Sequence, residues 1–305
     1  MRVIRTFAAL LLLAFASVPA FALESGTFDS DGVPIKYVTE GEGEPVVLIH
    51  GFIASAQLNW IAPGVFGALA KDYKVIAPDL RGHGQSGKPH DPASYGPQMA
   101  KDIINLLDHL KIEKAHIVGY SLGGFITVHI VARYPDRVIC AVPSGAGWSP
   151  PGGERENLSD EIAKALESGQ GITPLIVALT PAGRPKPSQE QLDTMNKMVL
   201  GMNDPLALAA VARGMRNLSV TESEIAAIKV PVRDVIGGID PLKESVDALK
   251  RANPSVDVVV VEGGDHMNTF GDPRYLAAVQ EFIGKHASHQ HTDAGHETGH
   301  AVAAK

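Results

Sequence analysis

Residues 119–123 read Gly-Tyr-Ser-Leu-Gly, and the chain downstream carries Asp240 in GGIDPL and His266 in GGDHM. A serine hydroxyl is a poor nucleophile at neutral pH and needs a base to take its proton. A histidine supplies that base, and a carboxylate fixes its tautomer and stabilises its charged form. The order Ser121, Asp240, His266 suits a nucleophile on a sharp strand-to-helix turn, an acid after a later strand and a base near the chain end. The chemistry would be acyl transfer through a covalent acyl-serine. Gly119 and Gly123 fit this reading, because side chains beside a strained turn would clash. The other acids are less well placed. Asp265 directly precedes His266 and reaches its own neighbour's ring poorly, and Asp234 lies inside a strand rather than after it. The run RVICAVPSG ends without a carboxylate. His83, His90, His109, His116 and His129 read as solvated or packed.

A developing oxyanion needs two backbone donors. One should be the residue after the nucleophile, Leu122, and the other Phe52, in the loop after VVLIHG. A rival motif, GHGQSG at 82–87, matches the G-x-G-x-x-G of dinucleotide-binding turns. That motif requires a helix to begin within the glycines, so that its amides face a pyrophosphate. Pro89, Pro92 and Pro97 forbid one, and Asp102 falls at the start of a helix instead of ending a strand. GHGQSG is therefore read as a loop, and no cofactor is expected.

The elements that must position these residues alternate along the chain. TFDSDGVPIKYVTEG reads as two strands turning at Asp31-Gly32. PVVLIHG, YKVIAPD, AHIVGY, RVICAVPSG, VPVRDVIGG and VDVVVVEGG read as further strands, mostly continuous apolar runs. Met99, Ile103, Leu106, Leu107 and Leu110 recur at helical spacing. LGGFITVHIVARYP turns directly from its strand into a helix, and PRYLAAVQEFIGKH forms the last one. Such alternation implies a mostly parallel sheet covered on both faces. From 150 to 214 no strand pattern occurs. PPGGERENLSDEIAKALESG reads as polar short helices, and QLDTMNKMVLGM and PLALAAVARGM as two more.

Taken in order, LIHGF, APDLRGHGQSG, GYSLGG, GGIDPL and GGDHM resemble the α/β-hydrolase superfamily over residues 27–148 and 215–285. The resemblance implies an α/β-hydrolase fold: a core domain of 23–149 and 215–286 with a helical cap, or lid, at 150–214. It also makes the DLRGHGQS stretch a turn after a core strand. Ser121 stands where the similar haloalkane dehalogenases and epoxide hydrolases use aspartate, and the cap has no tyrosine for opening an epoxide. Carboxylesterases, lactonases, carbon–carbon bond hydrolases and cofactor-free perhydrolases remain, and fold alone does not choose among them. We expect a serine hydrolase acting on a small, apolar carboxylic ester. Carbon–carbon hydrolysis or perhydrolysis on the same triad is the alternative, and a slow-turnover small-ligand-binding protein is the alternative of another class. In the cap, Leu175, Ile176, Val177, Ala178, Leu179, Met195, Met198, Val199, Leu200 and Met202 are largely apolar. They either line the pocket, with Leu179, Met198 and Met202 as candidate substrate contacts, or hold the cap to the core. Trp60 and Trp148 are similarly ambiguous.

The two ends of the chain read differently. Arg2 and Arg5, the apolar FAALLLLAFA and Ala20-Phe21-Ala22 make residues 1–22 a secretory signal peptide, so a periplasmic or secreted protein is expected. Losing Arg2 and Arg5 moves the net charge from −7 to −9. An acidic surface repels phosphate backbones, so no nucleic-acid partner is expected, nor stable membrane insertion of the mature chain. Cys140 is the single cysteine and lies in an apolar run, which makes it a core residue. Residues 287–305 are polar, small and rich in histidine and read as a disordered tail. His286, His289, His291, His296 and His300 could hold a metal only loosely, without fixed geometry, so no metal site is expected.

Overall fold

A computed structural model describes residues 23–150 and 154–288. The expected leader, and the tail beyond Ser288, lie outside the described residues. Eight strands form one sheet: β1 (Glu24–Ser30), β2 (Val33–Glu40), β3 (Pro45–Ile49), β4 (Lys74–Pro78), β5 (Ala115–Tyr120), β6 (Val138–Ser144), β7 (Arg233–Gly237) and β8 (Asp257–Val261). Their spatial order is β1-β2-β4-β3-β5-β6-β7-β8. The β1–β2 hairpin turns at Asp31 and Gly32, with φ of 53° and 83°, the doubly left-handed geometry that two-residue hairpins favour. β2 runs antiparallel to β4, and β3 through β8 are parallel.

The apolar runs are continuous because both sheet faces are covered. Val47 and Ile49 of β3 pack on one face with Met99, Ile103, Ile126 and Ile130. The alternate residues Val46 and Leu48 pack on the other with Phe66, Leu69, Val279 and Phe282. The helices behind these contacts are α1 (Val65–Leu69), α2 (Pro97–His109) and α3 (Leu122–Arg133). Four helices follow β6: α4 (Glu154–Glu167), α5 (Thr173–Ala178), α6 (Gln189–Met202) and α7 (Pro205–Gly214). The chain then returns through α8 (Glu222–Ala227), α9 (Lys243–Ala252) and α10 (Pro273–His286). No helix of the described residues is long and apolar enough to cross a membrane.

The segment α4–α7 has a small core of its own, built from Ile162, Leu166, Ile176, Leu192, Val199 and Leu208, against which Phe52 and Ile53 pack. The polar stretch expected to break into short helices is instead one 14-residue helix, α4. Its apolar residues Leu158, Ile162, Ala163 and Leu166 recur every three or four positions, enough to bury one stripe on α5–α7. Cys140 is fully buried, as expected.

β3 leads to β4 on one side, while β5 lies on its other side. This reversal opens a crevice at the carboxyl ends of β3 and β5, where ligands bind in open α/β sheets. The loop bearing Phe52 leaves β3 there, and Ser121 follows β5 there.

Candidate active site

Ser121 occupies a backbone position that L-residues avoid, with φ 56° and ψ −116°. The turn is possible only because the residues two positions to either side, Gly119 and Gly123, carry no side chains. A Cβ on Gly119 would lie 2.1 Å from the Gly123 carbonyl oxygen, and one on Gly123 would lie 2.0 Å from that of Ile49. Ser121 N–H donates to the Ser144 carbonyl at 2.8 Å, and its own carbonyl accepts from Phe125 N–H at 3.1 Å. The residue is thus pinned between the sheet and the first turn of α3, at the positive end of that helix.

His266 lies in the turn after β8 and is 4% exposed. Asp265 builds this turn: its carboxylate accepts from the Met267 and Asn268 amides, at 2.9 and 3.0 Å. The Tyr120 hydroxyl donates to the His266 carbonyl at 2.7 Å. His266 Nδ1 is 2.9 Å from Asp240 Oδ2, and Nε2 is 2.9 Å from Ser121 Oγ. An ionised carboxylate only accepts, so Nδ1 carries the proton and Nε2 is free to accept from the serine. Asp240 is buried, and its other oxygen accepts from Leu242 N–H at 2.8 Å. Asp234 is buried within β7, and neither of its oxygens has a partner among the described residues. Burial raises its pKa well above the usual carboxylate range, with the Asp240 charge adding to the effect.

Phe52 and Leu122 both line the cavity above Ser121. As the first residue of α3, Leu122 has no acceptor for its N–H within the helix. The Phe52 amide is set by its neighbour. His50 Nε2 accepts from Leu80 N–H at 2.9 Å, so Nδ1 donates to the Gly51 carbonyl at 2.8 Å. That carbonyl and the Phe52 N–H belong to one trans peptide and point in opposite directions. Burial lowers the His50 pKa to about 4, so the ring stays neutral in this role.

The cavity encloses about 360 Å³. Its walls are mainly apolar: Leu179, Met198 and Met202 from the helical segment face Phe52, Met267 and Phe270 from the core. Leu175, Ala178 and Val199 line it as well. Ile176 and Met195 border a neighbouring cavity, and both tryptophans are buried in the body of the protein.

The GHGQSG stretch folds on itself, with Gly82 N–H donating to the Gly87 carbonyl at 2.8 Å. Asp102 is paired side-on with Arg81, both oxygens at 2.6 Å from guanidinium nitrogens. These residues tie a loop to α2. Among the described residues no group of His, Cys, Asp and Glu is arranged to hold a metal.

A family model for the alpha/beta hydrolase fold matches residues 44–172. The strand order and the strand–turn–helix at Ser121 are those of that fold. The chain belongs to the α/β-hydrolase superfamily. Among the curated relatives of this α/β-hydrolase is the dihydrolipoyllysine-residue acetyltransferase component of the acetoin cleaving system of Cupriavidus necator. It is 30% identical over 250 residues, covering 79% of this chain and 63% of the relative. The 2-hydroxymuconate semialdehyde hydrolase of a Pseudomonas species is 40% identical over 146 residues, 47% of each chain. The match thus spans less than two thirds of either relative. A thermophilic esterase from Thermogutta terrifontis shares the fold at 24% identity and a TM-score of 0.69, with 88% of this chain and 99% of that chain covered.

Several residues of this α/β-hydrolase's site escaped sequence reasoning. His50 directly follows an apolar strand and Tyr120 ends one, both beside recognisable motifs, and polar side chains there could have flagged them. Asn59 sits in a helical turn with no such flag.

Proposed function

We propose that this chain is a serine hydrolase that cleaves a small, apolar carboxylic ester. The observation that carries the reading is a single imidazole hydrogen-bonded to Ser121 through Nε2 and to buried Asp240 through Nδ1. Ser121 Oγ attacks the ester carbon while its proton passes to His266 Nε2. The carbonyl electron pair moves onto oxygen, which the Phe52 and Leu122 amides hold. His266 then protonates the departing alkoxide, and water, activated by the same ring, hydrolyses the acyl-serine. Asp240 keeps the ring oriented and balances its charge. The apolar walls, including Leu179, Met198 and Met202, favour an uncharged substrate.

The test is labelling of the purified protein with a fluorophosphonate, beside Ser121→Ala. The expected result is labelling of the wild type alone, followed by turnover of short p-nitrophenyl esters. Equal labelling of both proteins would move the nucleophile to another serine, and no labelling of either would overturn the hydrolase reading.

A second reading, carbon–carbon bond hydrolysis, is favoured by the 40% identity to 2-hydroxymuconate semialdehyde hydrolase. Faster turnover of vinylogous diketones than of esters would select it. The composition of residues 1–22 supports export to the periplasm or medium. N-terminal mass analysis of the protein from cell fractions tests that, with a start at Leu23 expected.

A further inference from the structure

Asn59 is 4% exposed and lines the same cavity as Ser121. Its two amide atoms fare differently. Oδ1 accepts from the Gly51 N–H at 2.8 Å, which fixes the side chain's orientation. Nδ2 is buried and has no hydrogen-bond partner among the described residues. A buried donor without an acceptor is costly, and its persistence in a well-packed site calls for an explanation. Packing does not require an amide here, because an aliphatic side chain of the same shape would fill the space. The clamp on Gly51 does not require it either, since an acceptor oxygen alone provides that.

The position supplies the explanation. Gly51 packs against the nucleophile: a Cβ there would meet Ser121 Cβ at 3.3 Å and Asn59 Oδ1 at 3.5 Å. The two polar atoms of a primary amide are only about 2.2 Å apart, as bond lengths of this kind dictate. Nδ2 therefore lies close to the loop whose next residue is Phe52. With Oδ1 held on Gly51, the free N–H bonds are held in place before any ligand arrives.

We propose that Asn59 is a third oxyanion donor, its Nδ2–H satisfied by the substrate's carbonyl oxygen as that oxygen takes up charge. The proposal rests on the serine hydrolase reading. A ground-state carbonyl oxygen offers two lone pairs, and the Phe52 and Leu122 amides use both. When the Ser121 Oγ–carbon bond forms, the π pair becomes a third lone pair and the proton goes to His266. A third donor therefore gains its acceptor only on the way to the transition state. Such an interaction raises kcat rather than lowering KM.

Two substitutions separate this role from holding Gly51. Asn59→Asp keeps an acceptor for the Gly51 N–H but removes the donor. Asn59→Leu removes both without adding charge, and Asn59→Ala replaces it if that variant does not fold. The readouts are kcat and KM on p-nitrophenyl esters, and inhibition by a trifluoromethyl ketone, which forms a tetrahedral adduct on serine. The expected result is a loss of roughly 10²-fold in kcat for both variants. KM should change little, and the ketone should bind weaker by the same factor. Loss in the Leu variant alone would make Asn59 only a brace for Gly51 and overturn the proposal. Loss in the Asp variant alone would be an effect of the added charge and also overturn it. A wild type that labels with fluorophosphonate, with neither variant impaired, overturns this proposal and leaves the hydrolase reading intact. A wild type that does not label overturns both.

Discussion

Asp240 and Asp234 lie close in the chain and are both buried, yet only Asp240 meets an imidazole. Asn in place of Asp240 would keep its oxygen on the Leu242 N–H and turn its NH2 toward His266 Nδ1, which favours the wrong tautomer, with Nε2 protonated. Asp240→Asn should lower kcat by roughly 10³- to 10⁴-fold at unchanged melting temperature, read on the preferred ester. Asp234→Asn should act in the opposite sphere. The fold holds Asp234 protonated above its ordinary 3.8, while the unfolded chain ionises it. That difference costs stability at neutral pH. The neutral amide should raise the urea midpoint at pH 7, by an amount that vanishes toward pH 4, and leave kcat nearly unchanged. Sequence reasoning could separate these two acids because one follows its strand and the other sits within it. It could not find Asn59, whose significance lies in a hydrogen bond to a glycine that only the folded loop creates.

At the scale of elements, the strands were legible because a sheet covered on both faces leaves uninterrupted apolar runs. The turn at Ser121 was legible because its geometry excludes all but glycine at two flanking positions. The latter point is testable: Gly123→Ala pushes a methyl into the Ile49 carbonyl. It should destabilise the protein by roughly 1–3 kcal/mol or more in chemical denaturation, and shift the loop after β3 enough to slow fluorophosphonate labelling. α4 was less legible. Its charged residues outnumber its apolar ones, so composition obscured a stripe that periodicity carries. The edges of the helical segment were also hard to place, since α7 runs into the short helical turn at Met215–Leu218 without a break in composition.

For the whole molecule, buried histidines set a limit in acid. Burial lowers His50 to about 4 and His83 to about 3, and also lowers His116 and His129. In the unfolded chain each regains the ordinary value of 6.5. Below that pH the unfolded state binds protons that the folded state refuses, so stability falls as pH drops from about 6.5. Each fully neutral histidine contributes about 1.4 kcal/mol per pH unit in that window. Asp234 works the other way and offsets part of the slope. Urea midpoints should therefore fall between pH 7 and pH 5, less steeply in His83→Gln and more steeply in Asp234→Asn. A flat profile in the wild type would contradict the burial of these rings as the governing effect.

The cavity above Ser121 is lined by three exposed thioethers, Met198, Met202 and Met267, each more than half accessible. Peroxide converts such sulfurs to sulfoxides, turning greasy, adaptable walls into polar ones. An enzyme that made peracids in this cavity would release each molecule of oxidant past its own methionines and wear out its substrate port. Ester cleavage releases nothing of the kind. Brief treatment with hydrogen peroxide should therefore add oxygen masses at these residues and raise KM for apolar esters, with fluorophosphonate labelling of Ser121 preserved. Oxidative wear would then begin in this lining, where Met267 directly follows His266 in the chain.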